Sequence, residues 1–315
     1  MYKISDISLV IATFNRPSDL KETLSSLKDI KKLNEVIIVD QSKNKETEKL
    51  VKKLKNQKIK YIYSKIPSLT KARNIGVSKV SKKSKLICFT DDDVTFSKNY
   101  FQEILNVFNK YPEAKGVSAF VQPPKEAAKK FENFIKRLFF IEHLENEKVR
   151  AISSYGNTYS YKLTRIINSH WLSGVNMGYK KEIFKNQRFD ENLKGYALAE
   201  DFDFSYRLNK KYPKSLFITP FTKIIHRVST AERYPTEKIS YMNQSHHFYL
   251  NFKNFNQTTK EKLVFAWSLI GISLLRTLQF IETRKNTDAL KLKFFFKSLF
   301  YCLANLRKIR KGKFD

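Results

Sequence analysis

Short apolar runs alternate with amphipathic stretches along the first ninety residues. Ile7–Ala12 is a mostly apolar run that ends at Thr13-Phe14-Asn15-Arg16-Pro17. Pro17 suits the first turn of a helix, and Leu20, Leu24 and Leu27 then recur at helical spacing. Val36–Val39 is a second buried strand, closed by Asp40, and Glu46–Leu54 reads as a helix. Ile59–Tyr63 is a third strand, Leu69–Val80 another helix, and Leu86–Phe89 a fourth strand closed by Thr90-Asp91-Asp92-Asp93. The order β-α-β-α-β-α-β predicts an α/β fold with a mostly parallel sheet and helices on both faces. In such sheets ligands bind outside the carboxyl ends of the strands. Thr13, Asp40 and Asp91–Asp93 all fall at strand ends, so three polar sites converge on one edge.

The second half is less regular. Tyr100–Tyr111 reads as a helix and Val117–Val121 as a strand. Lys125–Arg150 reads as a basic amphipathic helix with Phe131, Phe134, Ile135 and Leu138 on one face. Trp171–Tyr179 has a strand pattern, Glu200–Lys211 a helical one, and Leu216–Thr219 and Lys223–Val228 are short strands. From Tyr234 onward the chain is aromatic, basic and helical in pattern.

Charge changes this picture more than composition does. Sixty Lys and Arg face thirty Asp and Glu, a formal net charge of +30. Such a field favours anionic partners: nucleotide phosphates, lipid head groups or nucleic acid. A solvated lysine-rich surface explains any single run, such as Lys52–Lys53, but not the global excess. Cys88 and Cys302 lie far apart in the sequence and suggest no disulfide and no cysteine-based zinc site. The N-terminal residues lack a signal-peptide layout, so the expectation is a cytosolic protein, at or near a membrane surface.

Two acidic clusters carry the candidate chemistry. Asp91-Asp92-Asp93 follows a buried strand, and adjacent carboxylates repel one another without a cation. A hard ion with oxygen ligands, Mg2+ or Mn2+, would relieve this and could also hold a diphosphate. An N-cap ahead of the next helix is the competing use, but a cap needs one Asp rather than three. Ala199-Glu200-Asp201-Phe202-Asp203 opens a helix, where acids are at home in any protein. Its functional use is as a general base, since a hydroxyl is a poor nucleophile until it loses its proton.

Five segments together resemble the inverting glycosyltransferases of family 2, which have the GT-A fold. They are Leu9–Arg16, Glu35–Asp40, Leu69-Thr70-Lys71-Ala72-Arg73-Asn74-Ile75-Gly76, Asp91-Asp92-Asp93 and Glu200-Asp201. The resemblance covers roughly residues 5–230 and rests on the order and spacing of the set. It implies a GT-A catalytic region over 1–230, with a nucleotide-binding half at 1–121 and an acceptor half at 122–230. It implies that Thr13 lines the nucleotide, that Asp40 binds the base, and that Arg73 lies near base and diphosphate. Asp91 would face the ribose and Asp93 the metal, with Asp92 beside them at the donor. Asp201 would be the catalytic base, with Glu200 next to it. Trp171, Gly174 and Asn176 resemble the segment that lines the acceptor, and His226 sits where some family members place a third metal ligand. The implied donor is a nucleotide-diphosphate sugar, UDP or dTDP favoured by Asp40, and the implied acceptor a glycan or lipid-linked hydroxyl. Ser245-His246 stand where related bacterial enzymes carry Arg-Asn; they and His247 either touch an acceptor or lie at the surface.

Residues 231–315 form a helical aromatic and basic region. Leu263–Ile281 is nineteen residues with Arg276 its single charge, while Lys291–Ile309 carries a stripe of Leu292, Phe295, Phe296, Leu299, Leu303 and Leu306. Helices lying in an anionic membrane interface and an appendage packed on the catalytic region, or used for oligomer formation, both fit. Two rival functions stay open at this stage. A nucleotidyltransferase could use a similar sheet with metal-binding acids, and a basic nucleic-acid-binding protein would exploit +30 and the aromatics. The acidic clusters argue against the second, since they repel phosphates unless a metal intervenes.

Overall fold

A computed structural model describes residues 1–122, 130–141, 144–145, 148–149, 163–231 and 233–314. Its strands are β1 (Ile7–Thr13), β2 (Glu35–Asp40), β3 (Ile59–Tyr63), β4 (Leu86–Thr90), β5 (Val94–Phe96), β6 (Gly116–Gln122), β7 (Leu144–Glu145), β8 (Lys148–Val149), β9 (Ile167–Asn168), β10 (Asn176–Lys180) and β11 (Leu216–His226). Its helices are α1 (Pro17–Ser26), α2 (Glu46–Leu54), α3 (Leu69–Lys79), α4 (Tyr100–Lys110), α5 (Lys130–Leu138), α6 (Glu200–Lys211), α7 (Thr236–Asn254), α8 (Thr259–Thr283), α9 (Asn286–Ala304) and α10 (Leu306–Arg310).

One nine-stranded sheet runs in the order β3-β2-β1-β4-β10-β6-β11-β5, with β9 pairing β11. β1, β2, β3, β4, β6 and β11 share one direction, while β5, β9 and β10 oppose it. The sheet is therefore mostly parallel, and its helices lie on both faces. Period-two alternation sorts the strand residues. Ile7, Leu9 and Ile11 of β1 pack with Val36 and Ile38 of β2 against α1, α2 and α4. Val10, Ile37 and Val39 point the other way, towards α3, α6 and α7. That second core also contains Phe265, Cys302 and Ile309, so the C-terminal helices pack on this face of the sheet and its helices. Both cysteines are buried, and burial pushes the Cys88 thiol up to about 12.

Several expectations need correction. Trp171–Val175 is irregular, and only Asn176–Lys180 is strand, because the segment's amides are taken elsewhere. Leu172 N donates to Ser205 Oγ at 3.1 Å, and Gly174 N to Asp201 Oδ2 at 2.7 Å. The two strands expected over 216–228 are one, with a register shift between Thr219 and Lys223. Pro220, which has no N–H to give a ladder, sits inside that shift. Helix α5 spans only part of the helix expected over Lys125–Arg150, whose remainder includes a strand pair and residues outside the described set. Within α5, Ile135 is buried while Phe131, Phe134 and Leu138 are exposed. The α9 stripe divides likewise: Phe295 is buried, and Phe296 and Leu303 are exposed. His246 and His247 are buried, not at the surface, and His246 Nδ1 lies 3.0 Å from the Leu198 carbonyl.

Candidate active site

Register places the candidate residues on one edge. Thr13 pairs with Asp40, and Ile11 with Thr90, so β1, β2 and β4 finish together. The antiparallel β10 begins there, Asn176 opposite Thr90, and His226 at the end of β11 pairs with Val94. A cleft opens at this edge, lined by Thr13, Arg16, Asp91–Asp93, His226, Ser68, Tyr196, Arg233 and Tyr234 among others.

The three consecutive aspartates have different environments. Asp92 is buried, accepts from Thr13 Oγ1 at 2.6 Å and lies 3.6 Å from Arg16 Nη1. Burial pushes its carboxyl up to about 7, against the pull of Thr13 and Arg16. Asp93 Oδ2 accepts from Ser229 N at 2.8 Å. Its buried Oδ1 lies 3.1 Å from His226 Nε2, with no hydrogen bond formed. Burial acts to raise the Asp93 carboxyl, but contact with His226 and the Ser229 amide outweigh it, and the group lies below the usual range. Asp91 is half-exposed, and burial raises its carboxyl despite Arg73.

Asp91, Asp93 and His226 each offer a ligand atom, all within 4.8 Å of one another. Octahedral ligands at ~2.0–2.1 Å from a hard divalent ion are separated by about 3 Å along each edge. The 3.1 Å between Asp93 Oδ1 and His226 Nε2 matches such an edge, and the orphaned oxygen supplies the missing ligand contact. The residues present therefore fit a Mn2+ or Mg2+ ion.

Arg73 joins this cluster to the second acidic pair. It is 2% exposed, lies inside the sheet-facing side of α3 and pairs with Glu200 Oε1. Its Nη2 reaches Asp91 Oδ1 at 3.2 Å and donates to the Gly174 carbonyl at 2.9 Å. Gly174 N in turn donates to Asp201 Oδ2, and Phe202 N to Asp201 Oδ1 at 2.7 Å. A Cβ at Gly174 would lie 2.9 Å from Glu200 Oε1, so only glycine fits without displacement. Burial pushes Glu200 up to about 8, and Arg73 offsets this only partly. Asp201 is raised too, chiefly by burial, with the Gly174 and Phe202 amides and the Trp171 indole acting the other way. The chain reaches this helix start through left-handed backbone at Gly195, Ala197 and Ala199. Such conformations in alanine are costly and cluster at functional sites.

Arg73, Gly174, Glu200 and Asp201 are not among the residues that line the open cleft, and neither are Asp40, Trp171 and Asn176. Asp40 is fully buried, with Oδ1 accepting from Ser42 N and Oδ2 from Tyr61 OH at 2.8 Å. Asn176, expected on the acceptor side, is instead a buried strand clip. Its Oδ1 accepts from Ala119 N at 2.7 Å and its Nδ2 donates to the Ala119 carbonyl, joining β10 to β6. Trp171 is buried near Asp201. Sequence reasoning assigned no role to Arg16, Ser229, Tyr196, Arg233 or Tyr234. Arg16 was visible as the last residue of the first motif; the stacked rings of Tyr196 and Tyr234, 4.3 Å apart, had no local signal.

The profile of glycosyl transferase family 2 matches residues 8–188, more than half of the chain. Solved structures share the fold. TarS 1-349 of S. aureus is 16% identical, with a TM-score of 0.53 over 98% of this chain and 87% of that one. The mannosyltransferase PcManGT of Pyrobaculum calidifontis, in complex with GDP-Man and Mn2+, is 14% identical, with a TM-score of 0.56 over 96% and 76%. GalNAc-T7 with UDP, GalNAc and Mn2+ is 16% identical, with a TM-score of 0.58 over 95% and 57%. No curated protein matches significantly in sequence.

Proposed function

As the chain belongs to glycosyl transferase family 2, we propose that its donor diphosphate sits at Asp91, Asp93 and His226 and that Asp201 takes the acceptor proton. The enzyme is an inverting, metal-dependent glycosyltransferase using a nucleotide-diphosphate sugar. The observation that carries the site assignment is the shared edge: a three-ligand cluster and a backbone-held carboxylate joined through Arg73. When bound, Mn2+ or Mg2+ neutralises charge on the departing nucleoside diphosphate. Thr13 and Arg16 hold Asp92 away from the ligand set, which leaves Asp91 and Asp93 to it. Burial makes Asp201 a stronger base than a surface carboxylate, suited to accepting a hydroxyl proton as the new glycosidic bond forms. Arg73 and the Gly174 amide orient it.

Asp40 points to a uracil or thymine base, provided the Tyr61 hydroxyl yields its place on Oδ2. UDP- and dTDP-sugars are thus the favoured donors, and a glycan or lipid-linked hydroxyl the acceptor. A panel of nucleotide sugars with Mn2+ or Mg2+, monitored for nucleoside diphosphate, tests this. Release with none of the panel, or release of pyrophosphate instead, defeats the assignment.

A second observation bears on location. α8 is long and apolar enough to cross a membrane, yet Leu263, Trp267, Ile270 and Leu274 on it are exposed. With ten Lys and Arg against three acids in residues 282–315, this supports peripheral association with an anionic cytoplasmic membrane surface. Sedimentation with anionic and neutral vesicles at low and high salt tests it. Self-association of vesicle-free protein without lipid binding would instead make this face an oligomer contact.

A further inference from the structure

The sheet has a second polar end, opposite the catalytic edge. There β4 begins and β10 finishes, Leu86 paired with Lys180. A cavity at this end is lined by six cationic side chains: Lys82, Lys85, Lys180, Lys181, Lys185 and Arg188. One acid, Glu182, also lines it, and that carboxylate is paired with Lys115 at 2.6 Å. Lys85 is paired with Asp6 at 3.1 Å. Among the described residues, no carboxylate lies within ion-pair distance of the other five cations.

Lys180 is the informative member. It is only 9% exposed, yet its Nζ donates to a neutral partner, the Pro112 carbonyl, at 2.6 Å. The ring of Tyr2 lies 6.0 Å from it. Lys181 behaves similarly, its Nζ donating to the Ser81 carbonyl at 2.7 Å. The contrast with Arg73 is instructive: that buried cation has two carboxylates. Burying an ammonium without counter-charge is costly. Burial, and then Lys115, pull the Lys180 ammonium below its usual range, and the more distant Glu182 and Glu113 offset this only partly. An entering anion would remove that penalty and occupy donors that the carbonyls leave free, since each ammonium carries three.

We propose that this cavity is a second anion site, taking a phosphate group at the end of the sheet remote from the catalytic cluster. Compact, strongly charged ammonium groups bind phosphate as point charges. The phosphate could reach it on a soluble polyphosphate or on a phospholipid head group, and both sources present the same oxygens.

The test uses the full chain in EDTA, which silences the catalytic cluster. Inorganic tripolyphosphate is titrated calorimetrically into wild type, into a Lys82→Ala, Lys185→Ala, Arg188→Ala variant, and into a Lys28→Ala, Lys31→Ala, Lys55→Ala control. All six side chains are exposed, so folding is not at stake, and the two variants lose equal charge. The expected result is affinity at least about tenfold weaker in the cavity variant and within about twofold of wild type in the control, as for loss of charge-assisted contacts. A parallel arm measures sedimentation with phosphatidylglycerol and phosphatidylcholine vesicles. Cavity dependence only with tripolyphosphate assigns a soluble ligand, and cavity dependence only with phosphatidylglycerol assigns a head group. Equal losses in the two variants, or no loss in the cavity variant in either arm, overturn the proposal and reduce the effect to net charge.

Discussion

Asp201→Asn isolates the chemical step. The amide keeps the size of the carboxylate but cannot accept a proton from the acceptor. In the native site both neighbours are donors: Gly174 N on Oδ2 and Phe202 N on Oδ1, each at 2.7 Å. An amide can satisfy one of them with its oxygen and must turn its NH2 towards the other. The lost hydrogen bond to a charged group costs about 1.5–3 kcal/mol. Burial already disfavours the ionised carboxyl, so a neutral side chain recovers part of this. The net destabilisation should be about 1–2 kcal/mol, a melting shift of a few degrees that leaves a folded enzyme. Turnover should fall by roughly 10²–10⁴-fold, the range for loss of a general base, while nucleoside diphosphate affinity stays within about twofold. Nucleoside diphosphate release measures the first, calorimetric titration the second, and circular dichroism the fold. The sign of the pH dependence follows from the same cause. The base must be ionised and burial raises its pKa, so wild-type turnover should fall on acidification with a midpoint above the ~3.9 of an ordinary aspartate. A folded Asp201→Asn enzyme within about fivefold of wild-type turnover would remove Asp201 from this role.

Three further outcomes are expected. Chelation by EDTA and Asp93→Ala should each weaken calorimetric UDP binding at least about tenfold, because a hard divalent ion needs its oxygen ligands; unchanged affinity in both would exclude the metal cluster. Gly174→Ala should cost about 1–3 kcal/mol in denaturant unfolding and lower turnover disproportionately, since its Cβ meets Glu200 Oε1 at 2.9 Å and Asp201 Cβ at 3.2 Å; an equally active variant would show that Asp201 needs no such support. Burial holds the His246 imidazole neutral down to about 4, while the unfolded chain takes its proton near 6.5, so stability should be lost as pH falls between those values. By linkage this is worth on the order of 3 kcal/mol, and His246→Phe should melt closer to wild type at pH 4.5 than at pH 7; parallel profiles would refute this.

Much of the donor edge was legible because strand period and terminator chemistry coincide. An apolar run ending in Thr13, Asp40 or Asp91 announces both a buried strand and a polar group at its carboxyl end, and β1, β2 and β4 form at those places. The segment expected to line the acceptor was harder. Trp171–Val175 has strand composition, but Ser205 and Asp201 claim the amides of Leu172 and Gly174. No local pattern reveals a side chain arriving from thirty residues away. Asn176 shows the same limit, since its pairing with Ala119 depends on β6 lying alongside. The contact of Asp93 with Ser229 likewise depends on how β11 ends against β5.

The C-terminal helices raise a different question, because apolar periodicity says that a helix has a face without saying what covers it. In α8 the well-buried positions are Phe265, Ser268 and Gly271. Gly271 lets Phe139 approach so closely that a Cβ there would lie 2.2 Å from the Phe139 Cβ. Phe265 with the small Ser268 and Gly271 serves the protein-facing side, Trp267 stacks on Phe139 while staying partly exposed, and Leu263, Ile270 and Leu274 are exposed. Phe131 and Phe134 on the neighbouring α5, and Phe296, Phe300 and Leu303 on α9, are exposed as well. Exposed apolar groups repeated on three adjoining helices, in a chain this basic, are what motivates the proposed peripheral association with a lipid surface. A different C-terminal helix reaches towards the site: Lys253 and Asn254 at the end of α7, which packs on α9, hold the buried Asp203 of α6, two residues beyond Asp201. The packing of α7 therefore also steadies the helix that begins at Glu200-Asp201.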